Sequence, residues 1–313
     1  MKILIGTLAA VGILCAIILI ASYICFRLAF YVRGSAGKRK EIEPILTGED
    51  YDCHRDIMLK WYNETQAYPH TEYFITSFDG TLLCGKFYEY QKGAPIELMF
   101  HGYRGTAERD LSGGMQRCFS LGHSAFIVDQ RCSGKSGGNV ITFGIKERRD
   151  CLCWIDFIIK TFGYGTKIIL AGISMGATTV LLAAGEELPD NVVGVLADCG
   201  FSSAEKIIKK VIGQLGLPIK LCYPLVRLGA YIYGGFNLHE TTAIETLKRC
   251  KIPVIFFHGE SDDFVPCCMS QENFDACKSE KRIVTIPAAA HGLSFLIDPE
   301  RYLDEMRDFF GDI

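Results

Sequence analysis

The chain lacks the features that mark several large protein classes. Over 313 residues the net charge is only -3, and no long basic stripe interrupts the body, which argues against nucleic acid as the main partner. There are 14 cysteines, but without the tight framework of a small secreted domain. Scattered through apparent helices, strands and loops, they read as reduced thiols in a reducing compartment. No histidine stands at ligand spacing from Cys151 and Cys153, or from Cys267 and Cys268, so no metal is expected. Gly134-Lys135-Ser136 lacks the first glycine of a phosphate-binding loop, because position 129 is Asp, and nucleotide binding is rejected with it. No cofactor is expected.

A further absence points somewhere positive. From Ile3 to Phe26 there is no charged side chain, a run longer than the ~20 residues a helix needs to cross the hydrocarbon core. It also exceeds the ~7–15-residue apolar region of a signal peptide, and no convincing small-x-small cleavage site follows. The expectation is a single-pass anchor with its flank over residues 1–33. Lys2 alone precedes the run, whereas Arg27, Arg33, Lys38, Arg39 and Lys40 follow it, and positive charge stays inside. The body of the protein is therefore expected on the cytoplasmic side of the membrane.

Residues 34–71 read as a polar linker ending in a packing helix marked by Ile57, Met58, Trp61 and Tyr62. Two β-rich runs follow, Glu72 to Phe78 and Thr81 to Tyr90, joined by the hairpin dipeptide Asp79-Gly80. Apolar strand-like runs then alternate with helix-period segments: Ile96–Phe100, Ser124–Val128, Lys167–Ala171, Val192–Ala197, Pro253–Phe257 and Arg282–Ile286. Leu111, Met115 and Cys118 mark one helix face, Cys151, Ile155, Ile158 and Ile159 a second, and Leu303, Met306 and Phe310 a third. Right-handed crossovers give a mostly parallel, doubly wound α/β sheet with antiparallel N-terminal strands over residues 72–313. The interval 201–250 is too long for a simple crossover, and its aliphatic and aromatic content suggests a helical cap that shapes an apolar pocket.

The chemistry centres on Gly172-Ile173-Ser174-Met175-Gly176, where an apolar strand stops at a serine flanked by glycines. This fits G-x-S-x-G, a strained strand-to-helix turn that exposes the serine hydroxyl above a sheet. A lone hydroxyl is a poor nucleophile, so a base and an acid are required. Loops after later strands supply carboxylates in His258-Gly259-Glu260-Ser261-Asp262-Asp263 and a histidine in Ala290-His291-Gly292. In open α/β sheets such groups gather at the carboxyl edge of the strands.

With these residues in this order, the chain resembles the α/β-hydrolases, and is similar to their branch of esterases, monoacylglycerol lipases and serine aminopeptidase-like enzymes. The resemblance covers roughly Glu72 onward. It implies Ser174 as nucleophile, His291 as base and Asp262 as acid, since Gly259, Asp262, Val265 and Pro266 fit the family's G-x-x-D-x-x-V-P. Asp263 and Asp198 are alternatives for the acid. His101-Gly102-Tyr103-Arg104-Gly105 resembles the family's HG-x-x-G segment, implying oxyanion donors at the Tyr103 and Met175 amides. His101 and His258 are expected to shape loops. The family also has a D-x-R-x-x-G-x-S loop that accounts for Asp129 to Ser136. The expected activity is hydrolysis of carboxylic esters, lipid-like ones included, through an acyl-enzyme; a peptidase or acyl transferase is the alternative, and a non-catalytic interaction protein the outsider. The expected partners are a small acyl ester or lipid and the membrane, with no nucleic acid; oligomeric state is left open.

Overall fold

The computed structural model describes residues 2–34 and 43–311. Lys38, Arg39 and Lys40, which entered the orientation argument, lie outside the described residues. The chain begins with α1 (Lys2–Ala29), then α2 (Glu49–Asp52), α3 (Arg55–Ala67), β1 (Thr71–Thr76), β2 (Leu82–Tyr88), β3 (Ile96–Phe100), α4 (Ala107–Ser120) and β4 (Ser124–Asp129). It continues through α5 (Glu147–Phe162), β5 (Ile168–Ile173), α6 (Met175–Ala183), β6 (Val192–Asp198), α7 (Ala204–Gln214), α8 (Ile219–Ile232) and α9 (Ala243–Leu247). The last elements are β7 (Val254–Gly259), α10 (Cys268–Ala276), β8 (Lys281–Ile286), α11 (Ser294–Ile297) and α12 (Pro299–Phe310).

The strands form one sheet in the order β1-β2-β4-β3-β5-β6-β7-β8, antiparallel at β1–β2 and β2–β4 and parallel from there on. The six expected parallel strands all occur, with ends within two residues of the expected ones. The β1–β2 turn closes through Gly80 N–H to Ser77 O and Ser77 N–H to Thr81 O, the three-residue hairpin form rather than a two-residue one.

Alternation along β3 explains the layering. Ile96, Leu98 and Phe100 face a core shared with Trp154 and Ile158 of α5 and Val180 of α6, while Met99 faces the other core, with Leu111 and Met115 of α4 and Tyr302 and Met306 of α12. Both faces are thus covered, as parallel sheets require. Tyr302, stacked on Phe257 at 3.5 Å between ring centroids, was not among the residues the α12 periodicity singled out.

The interval 201–250 is helical, as expected, and α7 and α8 share a third apolar cluster with the end of α1: Phe26, Phe30, Ile208, Tyr223, Val226 and Phe236. Helix α1 is long and apolar enough to cross a membrane. Its C-terminal end is part of the fold: Phe26 is buried in that cluster, and Phe30, just after the helix, is edge-on to Phe143 at 5.6 Å and to Phe236 at 5.2 Å.

One acidic residue interrupts β3. Glu97 is fully buried, paired with Arg117 and 2.9 Å from Nδ1 of His123. Burial alone would raise its carboxyl pKa; the Arg117 charge and the His123 contact outweigh that and hold it at about 2. A depressed carboxylate contributes stability that is present above its unfolded pKa and lost as pH falls through its folded one. Denaturant midpoints should therefore drop as pH is lowered from the ordinary glutamate range towards 2. Glu97→Gln should cost roughly 3 kcal/mol at neutral pH, by leaving Arg117 buried without its counter-charge, and should flatten that acid dependence.

Candidate active site

Ser174 stands where β5 turns into α6, at φ 56° and ψ -119°, a positive-φ conformation unfavourable for a side-chain-bearing residue. The turn is made possible by its flanking glycines. A Cβ on Gly176 would lie 2.0 Å from the Phe100 carbonyl oxygen, and one on Gly172 would lie 2.3 Å from the Gly176 backbone. The chain can therefore press the elbow against β3, which also brings Gly102 to the serine: a Cβ on Gly102 would stand 3.6 Å from Ser174 Cβ.

His291 and Asp262 arrive in the loops after β8 and β7. His291 Nε2 is 2.9 Å from Ser174 Oγ, and its Nδ1 is 2.7 Å from Asp262 Oδ2. The other Asp262 oxygen accepts the amides of Phe264 (2.9 Å) and Val265 (2.7 Å). Burial by itself would raise the Asp262 pKa, but hydrogen bonds from His258 and His291 and the Val265 amide hold it well below the usual carboxylate range. With Asp262 anionic, Nδ1 carries the imidazole proton and Nε2 faces the serine hydroxyl as acceptor.

The other candidates fall elsewhere. Asp198 is buried at the end of β6, where it accepts the hydroxyls of Ser294 (3.0 Å) and Tyr302 (3.2 Å); burial raises its pKa. Asp263 is exposed, and its carbonyl accepts Lys210 Nζ. His101 accepts the Gln130 amide on Nε2 (3.0 Å) and so donates from Nδ1 to Gly102 O (2.8 Å). His258 shares its Nε2 proton between the Val265 carbonyl (2.8 Å) and Asp262 Oδ2 (3.2 Å) while Nδ1 accepts from Ser270 Oγ (2.7 Å), stiffening the loop that carries Asp262. Met175 follows the serine in the chain and Tyr103 lines the same cavity, and among the described residues neither backbone amide donates a hydrogen bond.

Several contacts here had no signal in the sequence. Asp110 on α4 accepts the Gly102 amide (3.0 Å) and holds the loop at Ser174. Tyr51 donates its hydroxyl to the His291 carbonyl (3.0 Å), and the Phe264 ring meets the imidazole edge-on at 5.0 Å. Most distant in sequence, Tyr103 Oη donates to Ala29 O (2.7 Å) and Arg104 to Leu28 O (2.8 Å), tying the loop to the end of α1. These partners are separated by more than seventy residues, beyond the reach of any local pattern.

A cavity of about 410 Å³ opens at Ser174. Its walls come from Leu46, Tyr51, Met58 and Trp61 of the N-terminal segment, Leu111 and Gly113 of α4, and Phe295 of α11. The expected cap shapes a different surface: among the described residues none of the lining comes from 201–250, because α7 and α8 bury their apolar faces in the cluster that joins the end of α1 to Phe143, Met175 and Val265. Four aspartates line the cavity, Asp50, Asp110, Asp198 and Asp263; of these, Asp110 accepts the Gly102 amide and Asp198 the hydroxyls of Ser294 and Tyr302.

Among the described residues, the one grouping able to offer a metal three ligands is Cys199, Asp262 and His291, with ligating atoms within 4.8 Å of one another. Burial pushes the Cys199 thiol well up, so it stays protonated, and the other two already bind each other. A metal there would have to displace that pair.

No family model matches the chain. It is 24% identical over 227 residues to protein bem46 of Schizosaccharomyces pombe, covering 72% of this chain and 70% of that one. It is also 24% identical to YqkD of Bacillus subtilis, an uncharacterized protein, covering 64% and 66% respectively. Among solved structures, Pyrococcus furiosus esterase Pf2001 superposes with a TM-score of 0.63 at 19% identity, over 79% of this chain and 93% of that one. Est1E of Butyrivibrio proteoclasticus with bound ferulic acid gives 0.60 at 21%, over 77% and 100%, and mouse alpha/beta hydrolase domain-containing protein 10 gives 0.57 at 21%, over 76% and 97%. The chain has the α/β-hydrolase fold.

Replacing Asp262 by Asn should remove the acceptor that fixes the His291 tautomer. In NMR spectra of the histidine-labelled protein, the hydrogen-bonded Nδ1 proton should disappear in Asp262→Asn. Its persistence would mean that another group orients the ring.

Proposed function

We propose that the protein is a serine hydrolase of carboxylic esters whose substrates carry an apolar, lipid-like portion. The observation that carries this reading is the hydrogen-bonded series Ser174, His291, Asp262 at the mouth of a largely apolar cavity. Ser174 Oγ attacks the ester carbonyl carbon as His291 Nε2 takes its proton, and Asp262 stabilises the imidazolium. The Tyr103 and Met175 amides receive the negative oxygen of the tetrahedral intermediate. His291 then protonates the departing alkoxide, leaving an acyl-serine that water hydrolyses by the same route. The solved structures named as esterases support the scaffold for this chemistry.

The membrane part of the reading rests on α1 alone. In this proposal residues 1–33 anchor the chain, 34–71 link it and complete the cavity, and 72–313 form the catalytic domain, on the cytoplasmic side as the charges after α1 argue. A second reading, an aminopeptidase-like or acyl-transfer activity, draws on Asp50 and Asp263, whose carboxylates in the cavity lining could meet a substrate amine.

A fluorophosphonate probe tests the class: the folded protein should be labelled and Ser174→Ala should not, and equal labelling of both would overturn the reading. The substrate assignment predicts that Met58→Trp, which fills the cavity roof, lowers kcat/KM for a decanoyl ester by about tenfold relative to butyryl. Faster turnover of aminoacyl amides than of either ester would favour the second reading.

A further inference from the structure

Helix α1 contacts α8 along its final third. A Cβ on Gly229 would lie 2.4 Å from the Ser22 carbonyl oxygen, so the two backbones touch there. The Tyr233 hydroxyl donates to Leu19 O (3.0 Å), and its ring meets Tyr23 edge-on at 5.1 Å. These contacts fix where α8 would sit relative to a membrane. At ~1.5 Å per residue, a hydrocarbon core of ~30 Å takes up about 20 residues, so a helix entering at Ile3 leaves the core near Ser22. The α1–α8 contact lies at that depth. The side chains around it suit the headgroup layer: Arg27 donates to Tyr23 Oη (2.9 Å) and covers the Tyr31 ring at 4.1 Å, and aromatic and basic residues concentrate at such boundaries.

The turn before α8 and the outer side of that helix expose apolar residues. Leu215 is 67% exposed and Leu217 48% in the turn between α7 and α8, with Leu221 at 64% and Tyr231 at 69% on α8. Tyr223, Val226 and Ala230, by contrast, are buried. Helix α8 therefore packs one apolar face inside the fold and carries Leu221 and Tyr231 outward, without a partner among the described residues. Lys220 and Arg227 are exposed on the same helix, and long basic side chains can lay their stems on apolar surface and carry their charge to lipid phosphates.

We propose that the α7–α8 turn and the outer face of α8 form a second bilayer contact, resting in the interfacial layer of the leaflet from which α1 emerges. The occupant is the lipid surface. A soluble partner seated on this face would have to enter the headgroup layer beside α1, whereas lipids are there already. The proposal rests on α1 spanning the membrane. It goes further in giving the catalytic body a fixed seat on the bilayer, where a tether alone would leave its orientation free.

The test uses the full chain reconstituted in phosphatidylcholine–phosphatidylglycerol vesicles with brominated acyl chains, which quench nearby tryptophan. Three single variants are compared with the parent, whose Trp61 and Trp154 set the background: Leu217→Trp on the turn, Leu8→Trp in α1, and Tyr164→Trp. Tyr164 precedes β5, at the sheet edge opposite the one that carries Tyr103 and the α1 terminus. The expected result is loss of most of the added emission for Leu217→Trp and Leu8→Trp, and none for Tyr164→Trp. Quenching at Leu8→Trp without quenching at Leu217→Trp would overturn the bilayer contact and leave the anchor standing. Absence of quenching at both would overturn the anchor and the contact together. If Leu217→Trp is unquenched by lipid, shielded from aqueous iodide and crosslinked between chains, a second copy occupies the face and the proposal is wrong.

Discussion

The site depends on one steric constraint, the approach of the β5–α6 elbow to β3. With hydrogen in place of Cβ at Gly172 and Gly176, the helix begins against the Phe100 carbonyl, and Ser174 is forced into a positive-φ conformation. That placement puts the hydroxyl where the loops after β7 and β8 bring Asp262 and His291. A larger residue at position 176 would meet backbone atoms rather than a movable side chain, so the serine, the start of α6 and the loop after β3 would all have to shift.

The loop after β3 is held from two directions. Asp110 accepts the Gly102 amide from the α4 side, and the α1 terminus accepts Tyr103 and Arg104 from the other. A helix leaves its last carbonyls unpaired and carries partial negative charge at that end, so a guanidinium and a phenol hydroxyl are suited to satisfy it. The end of the apolar helix is thus built into the body of the fold: it packs in the cluster around Phe30 and is hydrogen-bonded to the loop that carries Tyr103. If α1 is the membrane anchor, the conformation of that loop is linked to how the helix is seated.

The cavity divides the labour in a way that composition alone does not suggest. The interval 201–250 has the aromatic content of a pocket wall, yet its buried apolar residues pack against the end of α1, against Phe143, Met175 and Val265 of the body, and against one another. The polar-looking segment before β1 supplies Leu46, Met58 and Trp61 to the cavity, with Trp61 packed at 5.7 Å on Phe295. Substrate selection in this reading lies with α3, α4 and α11.

The order Ser174, Asp262, His291, the six parallel strands, the hairpin and the apolar length of α1 were legible in the sequence, because each is a local property: a periodicity, a turn dipeptide, a glycine-flanked serine or an uncharged run. The G-x-x-D-x-x-V-P frame also separated Asp262 from its neighbour Asp263, through the resemblance. Contacts between distant segments were not legible, since nothing in residues 46–61 marks them as a cavity wall and nothing in Tyr103 or Arg104 names Ala29 and Leu28 as partners. Tertiary structure alone decided those, and the physical reason is that an apolar face specifies that it will be buried without specifying against what. Shape, helix length and the competing claims of other apolar faces chose α1 as the neighbour of α8, and α3 as the roof over Ser174.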